Sequence, residues 1–162
     1  MVSIMNEVLQ LEIGHKVLEV GAGCGWHAAT IAEVVSPSSL SRGEWGHVYA
    51  VEIVQGLAEI ARRNIMKAGY SDRVTVICED GSMGYGEKSP YDRILVTAAA
   101  PEVPKPLIEQ LKPNGILVIP VGSMHLFQNL LKVTRESDGK TKEENLGGVS
   151  FVPLTGRYGH RF

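Results

Sequence analysis

The stretch Val17-Leu18-Glu19-Val20-Gly21-Ala22-Gly23-Cys24-Gly25-Trp26 decides how the other residues of this 162-residue chain are read. A short apolar run carrying one acid passes directly into three alternating glycines, and Trp26-His27-Ala28-Ala29 then suits a helix. That succession predicts a strand, a tight turn and a helix start. Glycine has no Cβ, so the turn can take positive φ angles and bring backbone against a ligand. The first N–H groups of the following helix point unsatisfied into the same space. The stretch therefore reads as a ligand cradle, with a tight turn that holds nothing as the plain alternative.

The spacing narrows the ligand. A dinucleotide fingerprint needs G-x-G-x-x-G, with a last glycine where the helix packs on the strand. Here the pattern is G-x-G-x-G, followed by Trp26. The spacing disfavours an NAD-dependent oxidoreductase. G-x-G-x-G after a strand that carries an acid resembles the first motif of Rossmann-like methyltransferases, which bind S-adenosylmethionine.

At this length one domain, residues 1–162, is expected, large enough to bury a single core without disulfide staples. Composition is ordinary for a globular protein, with 44% hydrophobic residues, 21% charged residues and a formal net charge of -2. Nothing in that balance calls for a nucleic-acid or membrane partner. Cys24 and Cys78 lack C-x-x-C spacing, so neither a zinc site nor a redox pair is expected, and a reducing cytoplasm follows. No signal-peptide pattern opens the chain and no apolar run approaches the ~20 residues of a membrane span.

Outward from the glycine stretch, the chain alternates. Met5, Val8 and Leu9 give a short amphipathic helix before it, and Ala28, Ile31, Ala32 and Val35 give a helical face after it, stopped at Ser36-Pro37. Residues 36–46 read as a polar surface loop with Trp45 as a hydrophobic plug. A strand from His47 ends in Glu52. An acid at the end of a second strand suits a ribose, because a carboxylate accepts both hydroxyl hydrogen bonds. The interval from Gly25 exceeds the usual ~20 residues by the length of the polar loop. The plainer role for Glu52 is an acid at a helix N-terminus.

A helix over 54–68, closed by Gly69, leads to a third strand from Arg73 to Cys78 and then to Glu79-Asp80-Gly81-Ser82. Asp80 could accept from an adenine amine, or the residues could form an ordinary Asp-Gly turn. A fourth strand over 91–97 runs into Ala98-Ala99-Ala100-Pro101, whose small side chains keep the space above the strand open. In doubly wound sheets ligands lie at the carboxyl ends of strands one and four, which places Thr97 to Pro101 beside the glycine loop. A helix from Pro104 to Leu111, a turn at 112–115 and a fifth strand at 116–119 follow. Strands over 126–134 and 145–152, separated by the charged turn 136–144, predict an antiparallel hairpin on one sheet edge. The ending Thr155-Gly156-Arg157-Tyr158-Gly159-His160-Arg161-Phe162 is irregular and basic.

Several blocks go beyond a shared fold. The glycine stretch, E-D-G-S at 79–82, S-P-Y-D-R-I-L-V-T-A-A-A-P-E-V-P at 89–104, P-L-I-E-Q-L-K-P-N-G at 106–115, L-V-I-P-V-G-S at 117–123 and G-V-S-F-V-P-L-T-G-R-Y-G at 148–159 together resemble the protein L-isoaspartate O-methyltransferase family. The likeness covers nearly the whole chain, and the 91–101 block and the F-V-P-L ending carry its specificity. It implies an α/β, Rossmann-like class I methyltransferase: a parallel doubly wound sheet with a C-terminal antiparallel hairpin. It further implies methylation of the free carboxyl of L-isoaspartyl residues in damaged proteins and peptides. The cofactor would be S-adenosyl-L-methionine and the product S-adenosyl-L-homocysteine.

By the same resemblance Gly21, Gly23 and Gly25 would hold the methionine part, Glu52 the ribose, and Asp80 with Gly81 the adenine, with Glu19, Ala22, Trp26, Ile53 and Thr97 completing the cofactor contacts. Thr97, Ala98 and Ala99 would line the meeting point of cofactor and substrate. No metal, nucleic-acid or membrane partner is implied, and a monomer is favoured. Family members carry a G-Q-T-I-S-A-P-H-like segment immediately before the position matching Met1. Its absence here makes the chain look like a shortened member, and the alternative reading is a cofactor-binding domain without activity. The chemistry asks little of side chains, since a carboxylate is already ionised at neutral pH. His15, His27, His47, His125 and His160 show no ligand spacing and read as surface or capping residues.

Overall fold

A computed structural model describes residues 1–123 and 127–161. Helix α1 (Val2–Leu9) precedes β1 (Lys16–Val20), α2 (Trp26–Val35), β2 (His47–Glu52), α3 (Gln55–Lys67), β3 (Val74–Cys78), β4 (Tyr91–Val96), α4 (Lys105–Glu109), β5 (Leu111–Gly122), β6 (Gln128–Arg135) and β7 (Thr141–Val149). The strands form one seven-stranded sheet in the order β3-β2-β1-β4-β5-β6-β7. The first five are parallel, β6 runs antiparallel to β5, and β7 antiparallel to β6. Strand order reverses between β1 and β4, which makes their carboxyl ends the topological switch point.

Period-two alternation in central strands buried on both faces separates two apolar layers. Val17, Leu95, Ile116 and Val118 face one layer with Met5 and Leu9 of α1, Ile31 and Val35 of α2, and Ala61 and Ile65 of α3. Leu18, Val20, Ile94, Val96, Leu117 and Ile119 face the other, under Leu107 of α4 and Leu154 near the C-terminus. Burial on both sides holds the switch-point ends rigidly, because every side chain that could shift is locked by packing.

Several boundaries differ from the sequence reading; the last strand, for one, ends at Val149 rather than Val152. Helix α4 stops at Glu109 rather than Leu111, because Leu111 already pairs with Tyr91. The expected turn at 112–115 is absorbed into β5 as an irregularity with Asn114 at φ 62°. The charged turn is also shorter than expected, since Thr141 to Glu144 belong to β7. An edge strand exposed to water on both faces can carry Lys142, Glu143 and Glu144 at no desolvation cost, and such charges protect the edge. His125, and the expected start of the sixth strand at Leu126, lie outside the described residues. Trp45 does plug its loop: its indole N–H donates to the Pro37 carbonyl at 3.0 Å, and the Arg73 guanidinium stacks 5.3 Å from the ring centre.

Candidate functional site

A cavity of about 370 Å³ opens at the carboxyl ends of β1, β2 and β4. Gly21, Gly23, Glu52, Ile53, Gly81, Thr97 and Ala98 all line it. The structure thus brings together seven residues drawn from four separate stretches of sequence.

The glycine loop is shaped by its hydrogen bonds. The N–H groups of Gly21 and Ala22 both donate to the Val51 carbonyl, at 2.8 and 3.1 Å, which bends the chain sharply off β1. Gly21 sits at φ 94°, and a Cβ there would fall 2.4 Å from Thr97 Oγ1. The Thr97 hydroxyl lies 2.6 Å from the Gly21 carbonyl and 3.1 Å from that of Val20, so the end of β4 braces the loop. Gly23, at φ 53°, would point a Cβ into open space. Backbone is the only wall on that side.

Glu52 ties the start of α3 to the glycine loop. Its Oε1 accepts from the Val54 N–H at 3.0 Å, just ahead of α3, and its Oε2 accepts from the Gly23 N–H at 2.9 Å. The residue is only 6% exposed. An ionised carboxylate has about four lone-pair sites. Two are taken, and two remain for donors in the cavity.

Glu19 lies behind the loop, fully buried on the α2 face of β1, and neither carboxylate oxygen has a hydrogen-bond partner among the described residues. Burial pushes its pKa well above the usual carboxylate range, and the Glu52 charge adds to the rise. Two acids therefore stand beneath and beside the glycine loop.

Other expected residues fall elsewhere. Ala22 packs into the core at 4% exposure. Gly25 and Trp26 line a second, larger cavity of about 720 Å³ along the outside of α2, with Asn6, Thr30, Asn64 and Tyr70. As the first residue of α2, Trp26 turns outward and is 67% exposed. Asp80 does not line the smaller cavity either. Its Oδ1 accepts from the N–H and hydroxyl of Ser82, at 2.9 and 2.7 Å, and its Oδ2 from the Arg157 N–H at 2.8 Å. It anchors the C-terminal tail. Ala99 is fully buried, sealed by the strap described next.

That strap is what the sequence reading missed. Val152, Pro153, Leu154 and Thr155 form a wall of the 370 Å³ cavity. The Ala99 N–H donates to the Val152 carbonyl at 2.8 Å and the Leu154 N–H to the Ala99 carbonyl at 2.7 Å, a short parallel bridge to the end of β4. The F-V-P-L run was visible as a motif, but its apolar spacing is too short and proline-broken to announce a strand.

His15, His27 and His47 make structural contacts. His27 is buried rather than a surface or capping residue; its Nε2 lies 2.9 Å from Asn6 Oδ1 and ties α1 to α2. Burial, with the chain's α-amino charge adding, lowers its pKa to about 4. His47 pairs with Thr75 at 2.8 Å, and His15 Nδ1 accepts from the Glu12 N–H at 3.0 Å. Among the described residues no three His, Cys, Asp or Glu side chains gather as a metal site. Nor is any helix among them long and apolar enough to cross a membrane.

Comparison with known proteins agrees with this geometry. The model of the family "Protein-L-isoaspartate(D-aspartate) O-methyltransferase (PCMT)" matches residues 1–159. The chain belongs to this family. A protein-L-isoaspartate O-methyltransferase of Hyperthermus butylicus is 58% identical over 161 residues, 99% of this chain and 66% of that one. A solved protein-L-isoaspartate O-methyltransferase superposes with a TM-score of 0.86 at 32% identity, covering 98% of this chain and 47% of that chain. A beta-aspartate methyltransferase from Plasmodium falciparum, in complex with S-adenosyl-L-homocysteine, superposes with a TM-score of 0.78 at 25% identity, covering 95% and 71%. The fold is that of class I S-adenosylmethionine-dependent methyltransferases. The chain spans about two thirds of the length of the Hyperthermus relative.

Proposed function

We propose that residues 1–162 act as one methyltransferase domain that binds S-adenosyl-L-methionine in the 370 Å³ cavity and methylates the free carboxyl of L-isoaspartyl residues in damaged proteins. S-adenosyl-L-homocysteine is the other product. The observation that carries this reading is the convergence of the glycine loop, Glu52, Gly81 and the Thr97–Ala98 segment on one cavity at the switch point.

The residues present fit the cofactor. Gly23 leaves space where any side chain would intrude, so backbone can meet the methionine part. Glu52, already held by two backbone N–H groups, offers its remaining lone pairs to the two ribose hydroxyls. Gly81 faces the adenine end, and Asp80 positions the strap beside it while keeping one lone pair on Oδ2. Glu19 stands behind the loop, buried and without a hydrogen-bond partner among the described residues, outside the lining of the cavity. When bound, the cofactor supplies a methyl group made electrophilic by its sulfonium.

The chain's own task is then placement and exclusion of water. Thr97 braces the glycine loop, and Ala98, too small to fill the cavity, leaves room for the incoming carboxylate. Apolar walls from Val20, Val51, Pro153 and Leu154 keep the cavity dry. The acceptor carboxylate is ionised at neutral pH and needs no general base. Two free cysteines, both exposed, are consistent with a reducing cytoplasm. The partners on this reading are isoaspartyl-containing proteins and peptides, met by a monomer.

Incubation with methyl-labelled cofactor and an isoaspartyl peptide tests the reading, with the matching aspartyl peptide as control. Label should appear as a base-labile methyl ester on the isoaspartyl peptide alone, and its absence refutes transfer. A second reading, cofactor binding without turnover, is favoured by the apolar Ile53, Val54, Leu57 and Val152 left exposed at the cavity mouth. Calorimetric binding of S-adenosyl-L-homocysteine without any methyl ester would establish it.

A further inference from the structure

The geometry points to a second subsite: the cavity between the β4–α4 loop and the C-terminal tail receives an acidic side chain of the substrate peptide, held by Arg157 and Arg161. This inference rests on the proposed methyl transfer to isoaspartyl peptides. The cavity, about 550 Å³, is lined by Pro101 and Glu102 on one side and by Arg157 to Arg161 on the other.

Its place next to the reaction site follows from the chain. Ala98 and Thr155 line the cofactor cavity, whereas Pro101, three residues beyond Ala98, and Arg157, two beyond Thr155, line this one. Even fully extended, at about 3.3 Å per residue, those two or three residues span at most roughly 7–10 Å, so the two linings adjoin. A peptide whose isoaspartyl carboxyl sits at Ala98 therefore reaches the second cavity with a residue two or three positions away.

The basic side is built, not a loose tail. The Arg157 N–H donates to Asp80 and the Tyr158 N–H to Ser82 Oγ at 3.0 Å. The Gly159 N–H donates to the Gly156 carbonyl at 3.1 Å and the His160 N–H to the Leu154 carbonyl at 2.8 Å. Gly156 approaches Asp80 so closely that a Cβ there would lie 2.0 Å from Oδ1. The backbone from Arg157 to His160 is thereby fixed beside the cofactor site, and Arg161 follows directly from it. Among the described residues neither guanidinium has a carboxylate within 4.0 Å, and His160 Nε2 is buried without a partner. Glu102 is the one acid in the lining, and it stands on the opposite wall. A ligand carboxylate is drawn to the arginine side and repelled from the other, and a guanidinium fork suits a carboxylate in two-point contact.

Three fluorescent isoaspartyl peptides test this, alike except for Glu, Gln or Lys at the positions two and three residues from the isoaspartate on each side. Their binding is read by anisotropy with S-adenosyl-L-homocysteine present, and their methylation in parallel. At low salt the Glu peptide should bind about fivefold tighter than the Lys peptide, a preference that shrinks at high salt. R157Q, an exposed side chain whose anchoring N–H is retained, should cut that preference below about twofold, whereas E102Q should widen it. Equal affinities, a preference for Lys, no binding of any peptide, or R157Q weakening all three alike would overturn the subsite. Tighter binding of a single-stranded RNA of similar length would do so too. If the charge preference and its R157Q loss hold but no peptide is methylated, the transfer reading falls and the subsite stands. Methylation without charge preference gives the reverse.

Discussion

Glu52→Gln tests the site where loop geometry and ligand contact depend on one side chain. In the wild type both carboxylate oxygens accept backbone hydrogen bonds, at 2.9 Å from Gly23 and 3.0 Å from Val54, in a residue 6% exposed. Glutamine has one acceptor atom. If it stays on Gly23, the Val54 N–H lies at an exposed position and can turn to water, so the loss of stability is about 1 kcal/mol. If it stays on Val54, the amide group of glutamine faces the Gly23 N–H, donor against donor, and a buried donor goes unpaired at about 1–3 kcal/mol. In either orientation a charged acceptor for the two ribose hydroxyls is gone. Charge-assisted hydrogen bonds are worth about 1.5–3 kcal/mol, so S-adenosyl-L-homocysteine should bind roughly 10- to 100-fold more weakly. Isothermal titration calorimetry reads the affinity and thermal denaturation reads the stability. A lowered melting temperature with an affinity within about twofold of wild type would show that Glu52 only straps the loop, and the ribose assignment would be wrong.

Other positions give independent checks. G21A should cost about 1–2 kcal/mol for its left-handed φ, plus the clash of its Cβ with Thr97 Oγ1. Adding T97A removes that clash, so the double mutant should be more stable than the summed single effects by about 1 kcal/mol, and additive denaturation energies would contradict the contact. Glu19 has a folded pKa above its unfolded value, so the stability it gives is complete below about pH 4.5 and lost as pH rises through the folded value. E19Q should therefore melt higher than wild type at neutral and alkaline pH, and parallel melting profiles would count against a raised pKa. His27 shows the opposite sense. Its folded pKa of about 4 lies below the unfolded 6.5, so stability is full above pH 6.5 and falls toward pH 4, by at most about 3 kcal/mol. H27Q should flatten that acid limb; an unchanged limb would place its origin elsewhere.

What could be read in advance divides along physical lines. The switch-point ends of β1, β2 and β4 were legible because glycines and acids at strand ends have local causes, and the structure gathers Gly21, Glu52 and Thr97 accordingly. Trp26 was misleading for a related reason. Adjacency to the loop in sequence says nothing about direction, and the first turn of α2 swings the indole onto the opposite side. Asp80 looked like a ligand contact because its partners, the N–H of Arg157 and the hydroxyl of Ser82, include one from a tail 77 residues away. Such a contact has no local signal. The strap Val152–Thr155 was hidden similarly: it pairs through single backbone bonds to Ala99, with no alternation to betray it. At β7 the charges suggested a turn, but an edge strand open to water tolerates them.

The two acids of the site argue for the ligand's charge independently of the glycine spacing. Glu19 is buried without a partner, and burial first, then the charge on Glu52, raises its pKa, so Glu52 is the acid whose charge meets a ligand at the loop. A pyrophosphate delivered there would add two like charges at short range, where a few ångströms in a medium of effective dielectric near 20 correspond to about 4 kcal/mol per pair. A ligand carrying a sulfonium and an ammonium reverses the sign of the interaction with Glu52 and favours the ionised form of Glu19. On this argument NAD should show no calorimetric binding to the wild-type chain, and E19Q should weaken S-adenosyl-L-methionine more than it weakens the uncharged-sulfur product. Equal loss for both ligands would mean that Glu19 supports the loop without sensing the ligand's charge.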